Sequence, residues 1–260
     1  MKVIYEPKGK ALEYAPLAAN LFRGCGHGCK YCYAPGYLRM SREEFAKPTV
    51  RPGVLEQLEK DAKKLAGDLR PVLLCFTCDP YQHPLERKEC VTRRAIEILG
   101  VNDMRIRVLT KNPALAIDRD IDILKKYDVD FGVSMSFVTV SDSIKWEPGA
   151  SLSIIRRSAI SNAKRANLRT WVSVEPVIDP GQAIEVIDRT SPCVDHFKIG
   201  KLNHHPEIEK KIDWRKFLRD VLVALEIRKS SYYIKDDLWA YADGAIRERW
   251  SQSSTGKVEA

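Results

Sequence analysis

Five short apolar runs constrain this chain more than any other feature in it. They are Val72–Thr77 (VLLCFT), Arg105–Thr110 (RIRVLT), Phe131–Ser136 (FGVSMS), Arg169–Val174 (RTWVSV) and His196–Ile199 (HFKI). Their length and their β-branched and aromatic content suit buried strands. Stretches with helical spacing lie between them. Leu85–Leu99 sets Val91, Ala95, Ile98 and Leu99 on one face, with Gly100 as a C-terminal stop. Ile117–Tyr127 offers Ile117, Ile121 and Leu124, and Ser151 or Ser153 is placed to cap a helix running to Ala166. The runs start roughly 25 to 40 residues apart, one βα unit per interval. Such regular alternation predicts an α/β fold with a parallel sheet, doubly wound or closed toward a barrel.

The runs share a second regularity: each ends in polar groups. Thr77-Cys78-Asp79 follows the first and Thr110-Lys111-Asn112 the second. Ser134 and Ser136, then Glu175, then Lys198 and Lys201 follow the others. In parallel α/β folds ligands bind at the carboxyl ends of strands, so these are candidate site residues.

Cysteine placement sharpens the picture. The N-terminal MKVIYEPKGKALEYAP lacks the apolar run of a signal peptide, and no stretch approaches the roughly 20 apolar residues that span a bilayer. A cytoplasmic protein without membrane contact is expected, so its seven cysteines should remain thiols or bind metal. Cys90 and Cys193 stand alone and read as small buried hydrophobes. Cys25, Cys29 and Cys32 crowd into "RGCGHGCKYCY". Cys29–Cys32 with Cys75–Cys78 could form a structural zinc site, but that leaves Cys25 unexplained. A thiol redox pair lacks a thioredoxin-like context. An iron–sulfur cluster with three protein thiolates leaves one iron open to a small molecule, and Gly24, Gly26 and Gly28 give a wrapping loop its freedom.

The motif CGHGCKYC resembles the signature of the radical S-adenosylmethionine (SAM) superfamily. Further segments, "NLFRGCGHGCKYCYA", "TCDPYQHPLE", "VLTKNPALAIDRDIDILKK" and "YYIKDDL", resemble its spore photoproduct lyase-like branch. The resemblance implies a partial (β/α)6 TIM-like barrel over residues 1–250. It also implies a [4Fe–4S] cluster on Cys25, Cys29 and Cys32, and SAM as the group that completes the open iron. Reductive cleavage of SAM would give a 5′-deoxyadenosyl radical for hydrogen abstraction. By position, Tyr31 would set the adenine, and Thr77, Cys78 and Asp79 would lie at the strand end holding the methionine part. Lys111 and Ser134 would reach the carboxylate or ribose, with Ser136 and Glu175 as further cofactor contacts. A flavodoxin or ferredoxin-type protein would supply the electron.

The chain also departs from that branch. Photoproduct lyases carry a hydrogen-donating cysteine where this sequence has Phe76, with Cys75 and Cys78 on either side. Cys78 is the better-placed candidate donor. The long region that precedes the cluster in those lyases is also missing, so thymine-dimer repair is not expected. With a net charge of +8 and an acid-free stretch of five basic residues from Ser151 to Thr170, the expected substrate is a nucleobase, nucleotide or nucleic acid. DNA repair or DNA modification by lyase- or isomerase-type chemistry would fit. The alternatives are radical chemistry on a peptide or small metabolite, and a non-catalytic zinc-stabilised nucleic-acid-binding domain. The polar tail 251–260 is expected to be disordered.

Overall fold

All five apolar runs form strands, and all five lie in one sheet. The computed structural model describes residues 2–254. Its strands in chain order are β1 (Ile4–Tyr5), β2 (Leu17–Ala19), β3 (Phe22–Arg23), β4 (Thr49–Val50) and β5 (Val72–Leu74). They continue with β6 (Ile106–Thr110), β7 (Asp130–Ser134), β8 (Thr170–Val177), β9 (His196–Lys201) and β10 (Ser231–Ile234). The main sheet runs β1-β2-β5-β6-β7-β8-β9-β10, and β3 pairs separately with β4. Only β1 is antiparallel to its neighbour; β2 and β5 to β10 are parallel.

Six helices carry the crossovers: Val54–Lys64, Val91–Val101, Ala114–Lys126, Ser153–Arg165, Pro180–Thr190 and Trp214–Ile227. The sheet is therefore an open (β/α)6 arrangement with a seventh parallel strand, not a closed barrel. Strands β2 and β10, with three and four residues, are too short to stand out by composition.

The strands bury both faces, as a parallel sheet must. Val72, Val108, Phe131, Val172 and Ile199 point outward onto Leu58, Ile96, Leu124, Ile160 and Leu222 of the helices. Each such side chain contributes roughly 1.5–3 kcal/mol by leaving water. On the concave face, Leu73, Leu109 and Trp171 meet Tyr14, Ala15 and Phe76.

Tyr14 belongs to a segment that closes the floor of the open sheet. Residues Gly9–Glu13 form a 3₁₀ turn, and the Tyr14 ring lies 5.9 Å from Phe76 and 6.4 Å from Trp171. Lys198 donates to the carbonyls of Glu13 and Tyr14, and Arg107 to that of Tyr14. The Glu13 carboxylate accepts from the Asp236 amide at 2.8 Å, and Lys10 reaches Asp237 at 2.7 Å. No helix among the described residues is long and apolar enough to cross a membrane.

Several local expectations change. The first run ends as a strand at Leu74, because Cys75 turns to φ +65° and breaks the alternation. The helix expected over Leu85–Leu99 is interrupted at Cys90, which adopts φ +50°. Gly100 lies inside that helix and does not stop it. A Cβ there would come within 2.2 Å of the Tyr127 ring, so the glycine provides close packing. Neither Ser151 nor Ser153 caps the next helix: Ser151 bonds Asn112, and Ser153 donates to the Val138 carbonyl. At the far end, Ser251–Ser254 do not leave the fold. The Gln252 carbonyl accepts from the Ile234 amide and the Ser254 amide donates to the Tyr232 carbonyl, an antiparallel bridge along the edge of β10. Residues 255–260 lie outside those described.

Candidate active site

Above the aromatic floor, at the carboxyl ends of the strands, lies a cavity of about 640 Å³. Cys25, Cys29 and Cys32 line it together with Tyr31, Thr77, Cys78, Asp79, Lys111, Ser134 and Glu175. Ser136 does not line it. That residue is buried with its hydroxyl unpartnered, two residues past the end of β7. Lys198 is a floor residue, and Lys201 lines the cavity while paired with Glu209 at 2.6 Å.

The cysteine loop follows β3 and is held by its backbone. Gly24 has φ +85°, and a Cβ on it would meet the Phe45 carbonyl at 2.6 Å. The Cys25 amide donates to that same carbonyl. Fully buried Gln82 accepts from the Gly26 amide at 2.9 Å and donates to the Gly24 carbonyl at 3.3 Å. Arg42 spans the other side, donating to the carbonyls of Cys29, Lys30 and Cys32. Trp146 accepts from the Lys30 amide, and His27 from the Gly149 amide. Every one of these contacts is to main chain, which leaves the thiols free to face the cavity.

Burial pushes the Cys29 thiol up to about 12, and raises Cys25 and Cys32 as well. Thiols in such a setting become ligands when a metal centre supplies the positive charge that stabilises the thiolate. Among the described residues no three His, Cys, Asp or Glu side chains converge tightly enough to hold a single metal ion. A multi-iron cluster takes one thiolate per iron and does not need such convergence. The donor set of three thiols on a backbone-clamped loop, facing a cavity, fits a cluster better than a zinc ion.

Tyr31 is fixed from behind. Its hydroxyl donates to Glu147, which is paired with Arg156 at 2.5 Å, both with 1% side-chain exposure. Burial opposes the Glu147 charge, but Arg156 and Lys111 hold its carboxyl below the usual range. Lys111 donates to the Ser134 hydroxyl at 2.7 Å, with its ammonium 5.7 Å from the Tyr31 ring centre. Arg156 comes from the acid-free Ser151–Thr170 segment. Far from meeting a polyanion, it is buried, and Lys164 of the same segment pairs with Asp195.

Asp79 is a brace. Its carboxylate accepts from the Thr110 hydroxyl and the Lys111 amide at 2.7 Å, and from the Tyr81 amide at 2.8 Å. Thr77 has its amide on the Asn20 side chain. A hydrogen bond to Cys75 and burial raise the Cys78 thiol, which also lies 3.8 Å from the Phe22 carbonyl as a donor.

The opposite wall is a polar network centred on Glu175 and Lys235. Lys235 donates to both Glu175 oxygens at 2.9 and 3.1 Å, the Tyr14 hydroxyl donates to Glu175, and Glu13 lies 3.6 Å from Lys235. Burial works against the Lys235 charge, but Glu175, Tyr14 and Glu13 hold it above the usual lysine range. Gly200 makes the room, since a Cβ there would lie 2.7 Å from Glu175 and 2.8 Å from Lys235.

Five site residues escape a sequence reading. Tyr14, Glu147 and Arg156 carry no local signal. His27 reads as a loop residue yet is buried in the cavity wall, its Nδ1 3.6 Å from Asp79. Lys235 ends the apolar run of β10 and follows the same polar strand-end rule as the others.

The profile of the radical SAM superfamily matches residues 19–191. No curated protein matches the chain. Among solved structures, a spore photoproduct lyase complexed with dinucleoside spore photoproduct is similar at TM-score 0.66 and 18% identity, over 89% of this chain and 78% of that one. SuiB of Streptococcus suis bound to S-adenosylmethionine is similar at TM-score 0.62 and 14% identity, over 86% and 51%. SuiB bound to its precursor peptide SuiA gives 0.65 and 12%, over 86% and 49%. At these identities the likeness is one of fold. With its profile matched across two thirds of the sequence, this chain belongs to the radical SAM superfamily, whose members use a [4Fe–4S] cluster and SAM.

Proposed function

We propose that Cys25, Cys29 and Cys32 hold a [4Fe–4S] cluster against this cavity, and that the enzyme abstracts hydrogen from a nucleobase, free or within a nucleotide or nucleic acid. The carrying observation is that the three thiols share one cavity with Lys111, Ser134 and Tyr31. When bound, the cluster and SAM supply a 5′-deoxyadenosyl radical. The chain's own part is to bind and orient. Lys111 offers a cation to a carboxylate, a charge-assisted bond contributing about 1.5–3 kcal/mol. Ser134 steers that ammonium, and Tyr31, immobilised by Glu147, presents a ring face to an adenine. Cys78 is the proposed hydrogen donor.

The nucleobase assignment is supported by the dinucleoside bound in the similar lyase structure. It also suits the aromatic lining of Tyr14, Tyr33, Tyr37 and Phe76, because every base has a face that stacks on such rings. The basic Ser151–Thr170 segment no longer contributes to it.

Anaerobic purification should yield near-stoichiometric iron and sulfide in the wild type, lost in Cys29→Ala. Zinc without sulfide would refute the cluster. Deuterated oligonucleotides, nucleotides and peptides are then compared for label appearing in 5′-deoxyadenosine. Label from peptide alone would refute the nucleobase and leave the radical chemistry standing.

A further inference from the structure

Two thiols on the cavity wall have no part in holding a cluster. Cys75 and Cys78 both line the cavity, separated in sequence by Phe76 and Thr77. In a regular strand Cys75 would share a face with Thr77, and Cys78 would point the opposite way. Instead β5 ends at Leu74 and Cys75 turns to φ +65°, a strained conformation for a residue with a side chain. Main-chain bonds hold the turn in place. The Cys75 amide donates to the Ala19 carbonyl at 2.8 Å, and the Thr77 amide to the Asn20 side chain at 3.1 Å. So placed, the two sulfurs share a hydrogen bond. Cys78 also reaches the root of the cysteine loop, 3.8 Å from the Phe22 carbonyl, and its sulfur lies within electrostatic reach of Cys25 and Cys32. Filling space requires neither a strained backbone nor a second thiol. Among the described residues no third His, Cys, Asp or Glu joins the pair to hold a metal ion.

Resting on the reading that Cys78 gives a hydrogen atom to a radical in this cavity, we propose that Cys75 is its catalytic partner, the two forming a dithiol that each turnover converts to a disulfide. Cys78 gives its S–H hydrogen to the substrate-derived radical. The sulfur radical left on Cys78 bonds to the Cys75 sulfur as the Cys75 S–H bond breaks. The proton goes to water, and the surplus electron goes to the cluster, which cleavage of SAM has just oxidised. The pair is thereby oxidised by two electrons, one carried off with the hydrogen atom and one passed to the cluster. SAM is consumed as a co-substrate and the priming electron is kept. A dithiol reductant from solution then reopens the disulfide by thiol–disulfide exchange.

The test uses anaerobic holoenzyme with iron and sulfide first confirmed, and SAM alone as the probe. Without a substrate, the radical formed in the cavity takes its hydrogen from Cys78. Protein reduced with dithionite and desalted into heavy water receives one equivalent of SAM. Free thiols are then blocked and the chain is cut with trypsin, which leaves residues 65–87 as a peptide carrying Cys75 and Cys78 and no other cysteine. Wild type should give 5′-deoxyadenosine bearing deuterium, an equal amount of that peptide closed and lighter by two hydrogens, and a reduced-cluster EPR signal that persists. Cys75→Ser should still pass deuterium, but its peptide cannot close and the EPR signal should be lost. A second measurement needs no turnover. Equilibrated with reduced and oxidised glutathione, wild type should close the same peptide in one two-electron step, whereas Cys75→Ser should carry glutathione on Cys78. Deuterium transfer without a disulfide, or thiols that stay free at the oxidising end of the glutathione series, overturns the pair and leaves the radical reading standing. Deoxyadenosine without deuterium refutes Cys78 as donor, and preparations without sulfide refute the cluster as electron acceptor; either result takes the proposal with it.

Discussion

The two walls of the cavity solve opposite problems. The cysteine wall is held through its main chain, by Gln82, Arg42, Phe45 and Trp146, and it leaves three thiols uncommitted. The far wall is held through its side chains, with Tyr14 and Lys235 both bonded to Glu175 and Glu13 lying 3.6 Å from the Lys235 ammonium. A wall that receives a cluster must keep donors spare. A wall that shapes a pocket gains from pairing its charges, because unpaired buried charge is costly.

The sharpest way to break this comparison is to remove one cation from each wall. Arg156→Met leaves Glu147, at 1% exposure, with only the Tyr31 hydroxyl and Lys111 at 3.9 Å, so stability should drop by about 3–5 kcal/mol. Lys235→Met should cost less, about 1–3 kcal/mol, because the Glu175 side chain is 16% exposed and lines the cavity. Urea unfolding of both variants decides it, and a larger loss for Lys235→Met would reverse the ranking of the walls.

A smaller effect is expected from crowding each wall. Gly200→Ala drives a methyl into Glu175 and Lys235, whose long side chains can shift, for about 1–3 kcal/mol. Gly24→Ala meets a carbonyl at a left-handed φ, where backbone must move. It should lower cluster occupancy, measured as sulfide per chain, whereas Gly200→Ala should leave sulfide unchanged.

The gentlest probe is pH. Burial, with Arg107 adding to it, pulls the Lys198 ammonium down to about 7 in the fold, against 10.5 for an ordinary lysine. Between those values the unfolded chain binds the extra proton, so Lys198 makes stability rise with pH from about 7 to 10.5, by up to about 1.4 kcal/mol per unit. Below pH 7 both states are protonated and the slope vanishes. Lys198→Met should therefore show a flatter stability profile than wild type across that window, and an unchanged slope would mean Lys198 stays charged.

What could be read in advance follows the same division. Backbone-level information is local. Apolar runs gave five strands, and the spacing of Cys25, Cys29 and Cys32 marked a wall of the cavity. The polar residues at strand ends placed Thr77, Lys111, Ser134 and Glu175 together. Side-chain networks are not local. Arg156 reaches Glu147 from a helix that read as a basic surface, and Tyr14 meets Glu175 from 161 residues away. Ser136 shows the limit of the strand-end rule, since β7 ends at Ser134 and the side chain two residues on is buried outside the cavity. Cys75 shows another, because a single positive φ ended a strand that composition alone extended to Thr77.

The 3₁₀ turn that floors the cavity also sets an order of events. The Glu13 carboxylate is bonded to the Asp236 amide across 223 positions of sequence, and Lys10 to Asp237 across 227. Loops that long close late, since their entropy is lost before any contact rewards it. During synthesis, Lys10 and Glu13 emerge 227 and 223 residues ahead of these partners, and the two contacts must wait for them. Until then Trp171, Phe76 and the thiol loop remain open to solvent from below as well as above. The unfinished chain thus has a second doorway to its interior, which the arrival of β10 shuts.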